Sequence, residues 1–129
     1  MESANSSPIK PQRASVAQSW VEKTIEIMVI KLEGPLREGF SDPPIVEKVF
    51  GPLIGGRSAK RIICDLSNVS ALGADELGSL VWTFVECEKQ ALQIRYVVPE
   101  GKILDKLMLN KLELILRIFA TVDDALESF

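Results

Sequence analysis

Short runs of β-branched and aliphatic residues alternate along this chain with segments whose apolar residues recur every three or four positions. That alternation leaves few folds open. "TIEIMVIKL", residues 24 to 32, is apolar almost throughout, with Glu26 and Lys31 near its ends. It reads as a strand buried on both faces and broken by Gly34-Pro35. "RIICDL" (61–66), "LQIRYVV" (92–98, ended by Pro99) and "ILRIF" (115–119) repeat the pattern, and Ser15 to Val21, with Val16, Trp20 and Val21, is a weaker leading strand. Between these runs the period changes to that of a helix. "SDPPIVEKVFGPLI" reads as a helix capped by Asp42, with prolines in its first turn and Gly51-Pro52 weakening or kinking it near its end. Leu77, Leu80, Val81 and Phe84 define a helix from about Ala74 to Lys89; Ile103, Leu104, Leu107 and Met108 mark another. Thr121, with Asp124 three residues on, opens a last one. The order strand, strand, helix, strand, helix, strand, helix, strand, helix predicts a single α/β domain. Its central sheet is mixed and mostly parallel, with about five strands and about four helices. Residues 1–14, rich in Ser, Pro and charge, read as a mobile tail preceding a domain of residues 15–129.

Composition narrows the function classes. The chain has 129 residues, 47% apolar, enough for one core, and a net charge of −3 from 15 basic and 18 acidic side chains. Neither a nucleic-acid footprint nor a polybasic membrane patch is visible, and no apolar run approaches the ~20 residues that span a bilayer. Without an apolar leader, the expectation is a soluble cytoplasmic protein with no direct membrane insertion. Histidine is absent, which removes the usual general base, imidazole-dependent triads and the commonest metal ligand. Cys64 and Cys87 lack metal-ligand spacing, and Cys64 reads as a buried, inert thiol. No catalytic, cofactor or metal site is expected.

Three features invite functional readings. "GPLIGGRS", 51–58, has the spacing of a phosphate-binding loop with Arg57 in place of the lysine. Such a loop needs a strand before and a helix after; here the order is reversed, and the segment reads as a helix-to-strand turn with Gly55 and Gly56 at positive φ. Asp65 closes a buried strand, where a receiver-like phosphoacceptor would stand. However, "KLEGPL" and "IFATV" do not supply the acidic pair and the lysine that receivers require. The favoured reading is that Asp65 ties down the following turn through backbone amides. Trp20 and Trp82 read as packing or partner-facing residues.

The run "RIICDLSNVSALGADELGSL" resembles the central signature of the STAS family, the domain of anti-sigma-factor antagonists and of sulfate-transporter tails. In that family a strand ends in an Asp-Leu-Ser-like turn, followed by Asp-Ser-Ser-Gly-Leu-Gly opening a helix. Here "DLSNV" (65–69) and "GADELG" (73–78) stand in those places, and "LELILRIFATVDDALESF" resembles the family's closing strand and helix. The likeness spans roughly residues 15 to 129, in residues at the centre and in pattern elsewhere. It implies a STAS-like domain and a non-catalytic binding module. In the antagonists a serine at the helix start is phosphorylated by the partner kinase; the added charge and bulk break the complex.

This chain departs at that serine. Aligned on Leu77-Gly78, the family's aspartate falls on Gly73, the phosphorylated serine on Ala74, the neighbouring serine on Asp75 and the glycine on Glu76. Ala74 cannot accept phosphate, and Ser70 and Ser79 are poorly placed to replace it. The resemblance implies a partner surface of the loop Ser70, Ala71, Leu72 and Gly73 and the helix start Ala74, Asp75, Glu76 and Ser79. It implies docking to an anti-sigma factor or serine kinase without a phosphorylation switch. Asp75 and Glu76 could instead imitate phosphate, although ordinary helix-start chemistry is the favoured account. An alternative is a scaffold or accessory subunit of a lipid-transport ATPase or stress-signalling assembly. The alternative of another class is a receiver-like phosphoacceptor using Asp65. Nucleic acid is not an expected partner, and a homodimer is possible.

Overall fold

Each apolar run contributes a strand to one sheet, although of the expected strand 115–119 only Ile118 and Phe119 are strand. The computed structural model describes residues 10–13, 18–22, 27–37, 39, 41–56 and 60–129, the first two segments by backbone alone. The strands are β1 (Lys10–Arg13), β2 (Gln18–Glu22), β3 (Ile27–Leu36), β4 (Arg61–Leu72), β5 (Gln93–Val97) and β6 (Ile118–Phe119). They lie in the order β1-β2-β3-β4-β5-β6. Pairing is antiparallel from β1 to β3 and parallel from β3 to β6. The helices are α1 (Ile45–Gly56), α2 (Ala74–Lys89), α3 (Lys102–Leu109) and α4 (Val122–Glu127), with one 3-10 turn at Leu112–Leu114. This is the expected mixed, mostly parallel α/β domain with four helices.

Three details differ from expectation. Lys10–Arg13, placed by the sequence in the tail, form strand β1 at the sheet edge; residues 1–9 and the side chain of Trp20 lie outside the described residues. β3 does not break at Gly34-Pro35: Gly34 takes φ +79 and the strand continues to Leu36. Gly55 and Gly56 are helical residues at the end of α1, not positive-φ turn residues. The last turn of a helix tolerates glycine at modest cost. The other expected loop feature holds: a helix precedes this segment and β4 follows it.

The sheet separates two unequal cores. On one face α1, α2 and α3 cover Ile30, Leu32, Ile62, Cys64, Leu66, Ile94 and Tyr96 with Val46, Phe50, Leu80, Cys87 and Leu107. On the other, α4 covers Ile27, Val29, Ile63 and Val97 through Ala125, Val122 and Leu126. Alternate residues of β4 and β5 therefore supply both cores, which explains their unbroken apolarity. Trp82 is half-buried in α2 against the larger core, and a Cβ built on Gly51 of α1 would stand 3.9 Å from its ring. The packing reading of Trp82 fits this contact. Thr121 caps α4 as expected, its Oγ1 accepting from the Asp124 amide at 3.1 Å.

Both thiols are buried, and burial pushes Cys87 up to about 11 and Cys64 further. Tyr96, fully buried, is also raised well above 10 by desolvation. Each group stays protonated in the fold and ionises more readily once unfolded. Their contribution to stability is therefore fully present below about pH 9, the ordinary thiol value, and is lost as pH rises toward 11 and beyond. Denaturant midpoints measured from pH 7 to 11 should decline over that upper window, and Cys87→Ala should flatten the decline. Phe50, with no exposed surface, anchors α1 to the sheet. Phe50→Ala should cost about 3–5 kcal/mol in urea unfolding.

Candidate functional site

In parallel sheets, functional groups gather at the carboxyl ends of the strands. Here the ends of β3 and β4 meet, Leu36 opposite Leu72, and the Gly73 amide donates to Leu36 O at 2.7 Å. The chain then enters α2 at Ala74, while the segment after β3 leads to α1.

β4 reaches this point through two irregularities. Against β3 it carries an extra residue between Asp65 and Asn68 and another between Val69 and Ala71. Each extra residue reverses the alternation of faces. Leu66, Val69 and Leu72, spaced by three, consequently all join the larger core. Asp65 holds the first irregularity: Oδ1 accepts from Ser67 N at 2.9 Å and from Ser67 Oγ at 2.5 Å. Its carboxylate is 3% exposed. The expected anchoring of neighbouring backbone is the role the geometry gives it. The segment it anchors is strand, however, not the turn and loop expected after residue 66.

The start of α2 carries the acidic pair. Gly73, its N-cap, has extended backbone (φ −75, ψ 166) and no side chain to offer the first amides. Asp75 partly substitutes: Oδ1 accepts from Glu76 N at 2.8 Å, and Oδ2 reaches the Gly39 amide at 3.0 Å. Glu76 turns the other way. Its Oε2 accepts from Ile45 N at 2.7 Å and Oε1 from Val46 N at 3.0 Å. These are the first two amides of α1, so a residue of α2 caps α1 with a charge-assisted pair of bonds. Asp42, the expected cap, is exposed and does not hold them. Both helix N-termini favour a negative charge there. The Ser79 hydroxyl lies 2.9 Å from Glu47 Oε2 and 3.1 Å from Asp75 O, adding a second link between the helices.

The eight residues of the expected surface thus separate into two sets. Ser70 and Ala74 are exposed, and Ala71, Gly73 and Asp75 are half-exposed. Leu72, Glu76 and Ser79 are buried, at 2%, 1% and 2% exposure. They support the surface from beneath and cannot themselves touch a partner. Two neighbours were not legible as part of it. Lys106 of α3 donates through Nζ to Leu72 O, tying α3 to the end of β4. Beyond it Met108, Leu109, Leu114 and Ile115 are exposed at 50%, 83%, 75% and 43%. Met108 had read as one of the residues marking the α3 helix; the apolar excess of that segment was the available signal.

Solved structures share this fold. An anti-sigma factor antagonist from Mycobacterium paratuberculosis superposes with a TM-score of 0.70 at 19% identity, covering 93% of this chain and 91% of its own. A putative anti-sigma factor antagonist from Thermotoga maritima gives 0.70 at 18%, covering 93% and 92%. The Bacillus cell fate determinant SpoIIAA in its phosphorylated form gives 0.59 at 16%, covering 93% and 97%. No family model and no curated protein sequence matches the chain. The fold is the STAS-like one expected from the sequence, spanning a single domain.

Glu76→Ala would leave two helix-start amides of α1 without their acceptor in a buried place. A loss of about 2–4 kcal/mol in chemical denaturation is expected, against about 1 kcal/mol for the half-exposed Asp75→Ala. Exchange protection of the Ile45 and Val46 amides should fall in the Glu76 variant alone.

Proposed function

We propose that this chain is a non-catalytic protein-interaction module of the anti-sigma-factor-antagonist kind, docking its partner with no phosphorylation switch. The fold likeness supports the class. The observation that carries the finer reading is the chemistry at the start of α2. Ala74 is exposed but bears no hydroxyl, and the carboxylates beside it are committed to backbone amides. Glu76 is turned inward to α1, so it presents no phosphate-like charge outward. Asp75 is bound to Gly39 and to its own helix. The acidic pair thus acts as helix-start chemistry, with one member serving a different helix from its own. Phosphate mimicry is disfavoured.

The docking face consists of Ser70, Ala71, Gly73, Ala74 and the edge of Asp75, with Leu72, Glu76 and Ser79 as its support. The partner class is an anti-sigma factor or related serine kinase. The scaffold reading draws on a separate observation, the exposed Met108, Leu109, Leu114 and Ile115 beyond Lys106. A scaffold subunit of a lipid-transport ATPase or stress-signalling assembly would need such a second contact area. Nothing in the placement of Asp65 favours a phosphoacceptor: its carboxylate is buried and bonded to Ser67.

Affinity capture from the source cell, with identification by mass spectrometry, tests the reading. Wild type should recover an anti-sigma factor or serine kinase, and the complex should survive added ATP with no phosphate on this chain by intact mass. Ala74→Arg, at an exposed helix start, should abolish capture without changing stability by more than about 0.5 kcal/mol. Ala74→Ser should gain a phosphate and release the partner. Recovery of an ATPase or another STAS protein instead, insensitive to Ala74→Arg, would move the docking face to the Met108–Ile115 segment.

A further inference from the structure

A second polar site lies at the opposite end of the sheet, about 21 Å along α2 from Ala74 at 1.5 Å per residue. There β5 is partly uncovered. The Tyr96 and Val98 amides point away from β4 and donate to Arg117 O and Phe119 O, both at 2.8 Å. By the two-residue period of a strand, the Ile94 amide points to the same side. β6 begins only at Ile118, opposite Tyr96, so no strand faces Ile94. Ile94 is 3% exposed, and its outward amide opens into a hollow of about 150 Å³ lined by Phe84, Glu88, Leu92, Gln93, Arg95 and Arg117.

Arg95 is 6% exposed and curls around this edge. Nη1 donates to Ile94 O at 3.2 Å, taking the place of the missing strand; Nε donates to Ser128 Oγ at 2.8 Å and Nη2 to Ser128 O at 3.4 Å. The Phe129 ring lies 4.5 Å from the guanidinium carbon. Of the five N–H groups a guanidinium carries, these bonds use three. Among the described residues no carboxylate pairs with Arg95, and Arg117 makes no ion pair either. A buried cation without a counter-charge is costly, and a like charge beside it adds to the cost. Burial, then the Arg117 charge, push Arg95 below the ordinary arginine value.

We propose that this hollow binds a small oxyanion of the phosphate type, held by the Ile94 amide, the two uncommitted N–H groups of Arg95 and the guanidinium of Arg117. The volume suits such an ion, being several times the ~30 Å³ of one water. Two guanidinium groups and a backbone amide are the donor set that phosphate oxygens take. Glu88 on the rim opposes the anion and limits its affinity. The phosphoryl group could be free or part of a small monoester; both present the same oxygens.

Titration of the full chain with inorganic phosphate and, separately, glycerol phosphate, at constant ionic strength held with chloride, tests this by calorimetry and by amide shifts. Saturable binding with the Ile94 amide among the shifted resonances is expected. Arg117→Gln, at an exposed side chain, should weaken it by at least about tenfold, the usual consequence of losing a charge-assisted bond. Glu88→Gln should strengthen it several-fold. Tighter binding of the monoester would show that the group arrives on a larger molecule, and equal binding that the free ion suffices. No saturable binding, or binding untouched by both variants while their unfolding midpoints stay at wild type, would overturn the proposal. The site is independent of the docking face, so Ala74→Arg should leave phosphate binding unchanged.

Discussion

The carboxylate of Glu76 connects the two helices on which the larger core depends. It projects from the first turn of α2 and accepts the first two amides of α1, its own side chain almost wholly shielded from water. A side chain without an acceptor would leave those donors unmet, and a buried unmet amide costs more than an ordinary bond contributes. Gly73 cannot cap α2 by side chain, so Asp75 binds both its own helix and the Gly39 amide. Together the two residues tie the Gly39 amide and the start of α1 to the start of α2. The end of β4 gains a further tie from Lys106. The same geometry gives the functional reading its content. The Glu76 carboxylate, buried against α1, does not face outward, while Asp75 stays half-exposed.

Much of the architecture was legible because its causes are local. α2 spans Ala74–Lys89 as its apolar spacing predicts, and Thr121 caps α4 through the amide three residues on. β5 and the two buried faces of the sheet follow from unbroken apolar runs. Features with distant causes were not legible. Glu76 and Ile45 are 31 residues apart, and no local rule couples a glutamate in the first turn of one helix to another helix's amides. Asp42 had the right chemistry, but α1 begins only at Ile45, after both prolines, and the bonds went to Glu76. β4 was read as ending at Leu66 because the continuous apolar run stops there and "DLSNV" reads as a turn. The strand continues, but its apolar residues then recur every three, a spacing that only the irregularities opposite β3 make compatible with one buried face. Those irregularities depend on pairing, which the sequence of one strand does not contain.

The candidate surface was partly legible for the same reason. The positions Ser70 to Ser79 lie together as the resemblance implies, but their exposure depends on what α1 and α3 do. Leu72, Glu76 and Ser79 are drawn inward by neighbours from other parts of the chain. The apolar stripe Ile103, Leu104, Leu107 and Met108 marked α3 by its spacing and Ile115 was read into the last strand, yet Met108, Leu109, Leu114 and Ile115 are exposed. The helix ends at Leu109 and a 3-10 turn follows, which directs part of that stripe outward. Amphipathic spacing identifies a helix; it does not identify which of its apolar residues find cover.

The continuation of β4 to Leu72 has a consequence for recognition. A loop at residues 70–73 would have many conformations, and an incoming protein would have to select one, at a cost in entropy for every residue ordered. Here Ser70 and Ala71 belong to a strand paired with β3, and Gly73 is bonded to Leu36. Their ordering is complete before any encounter. If the proposed docking face is the one used, a partner would meet a template already ordered, so association would not wait on a conformational search and affinity differences among partners would lie in dissociation.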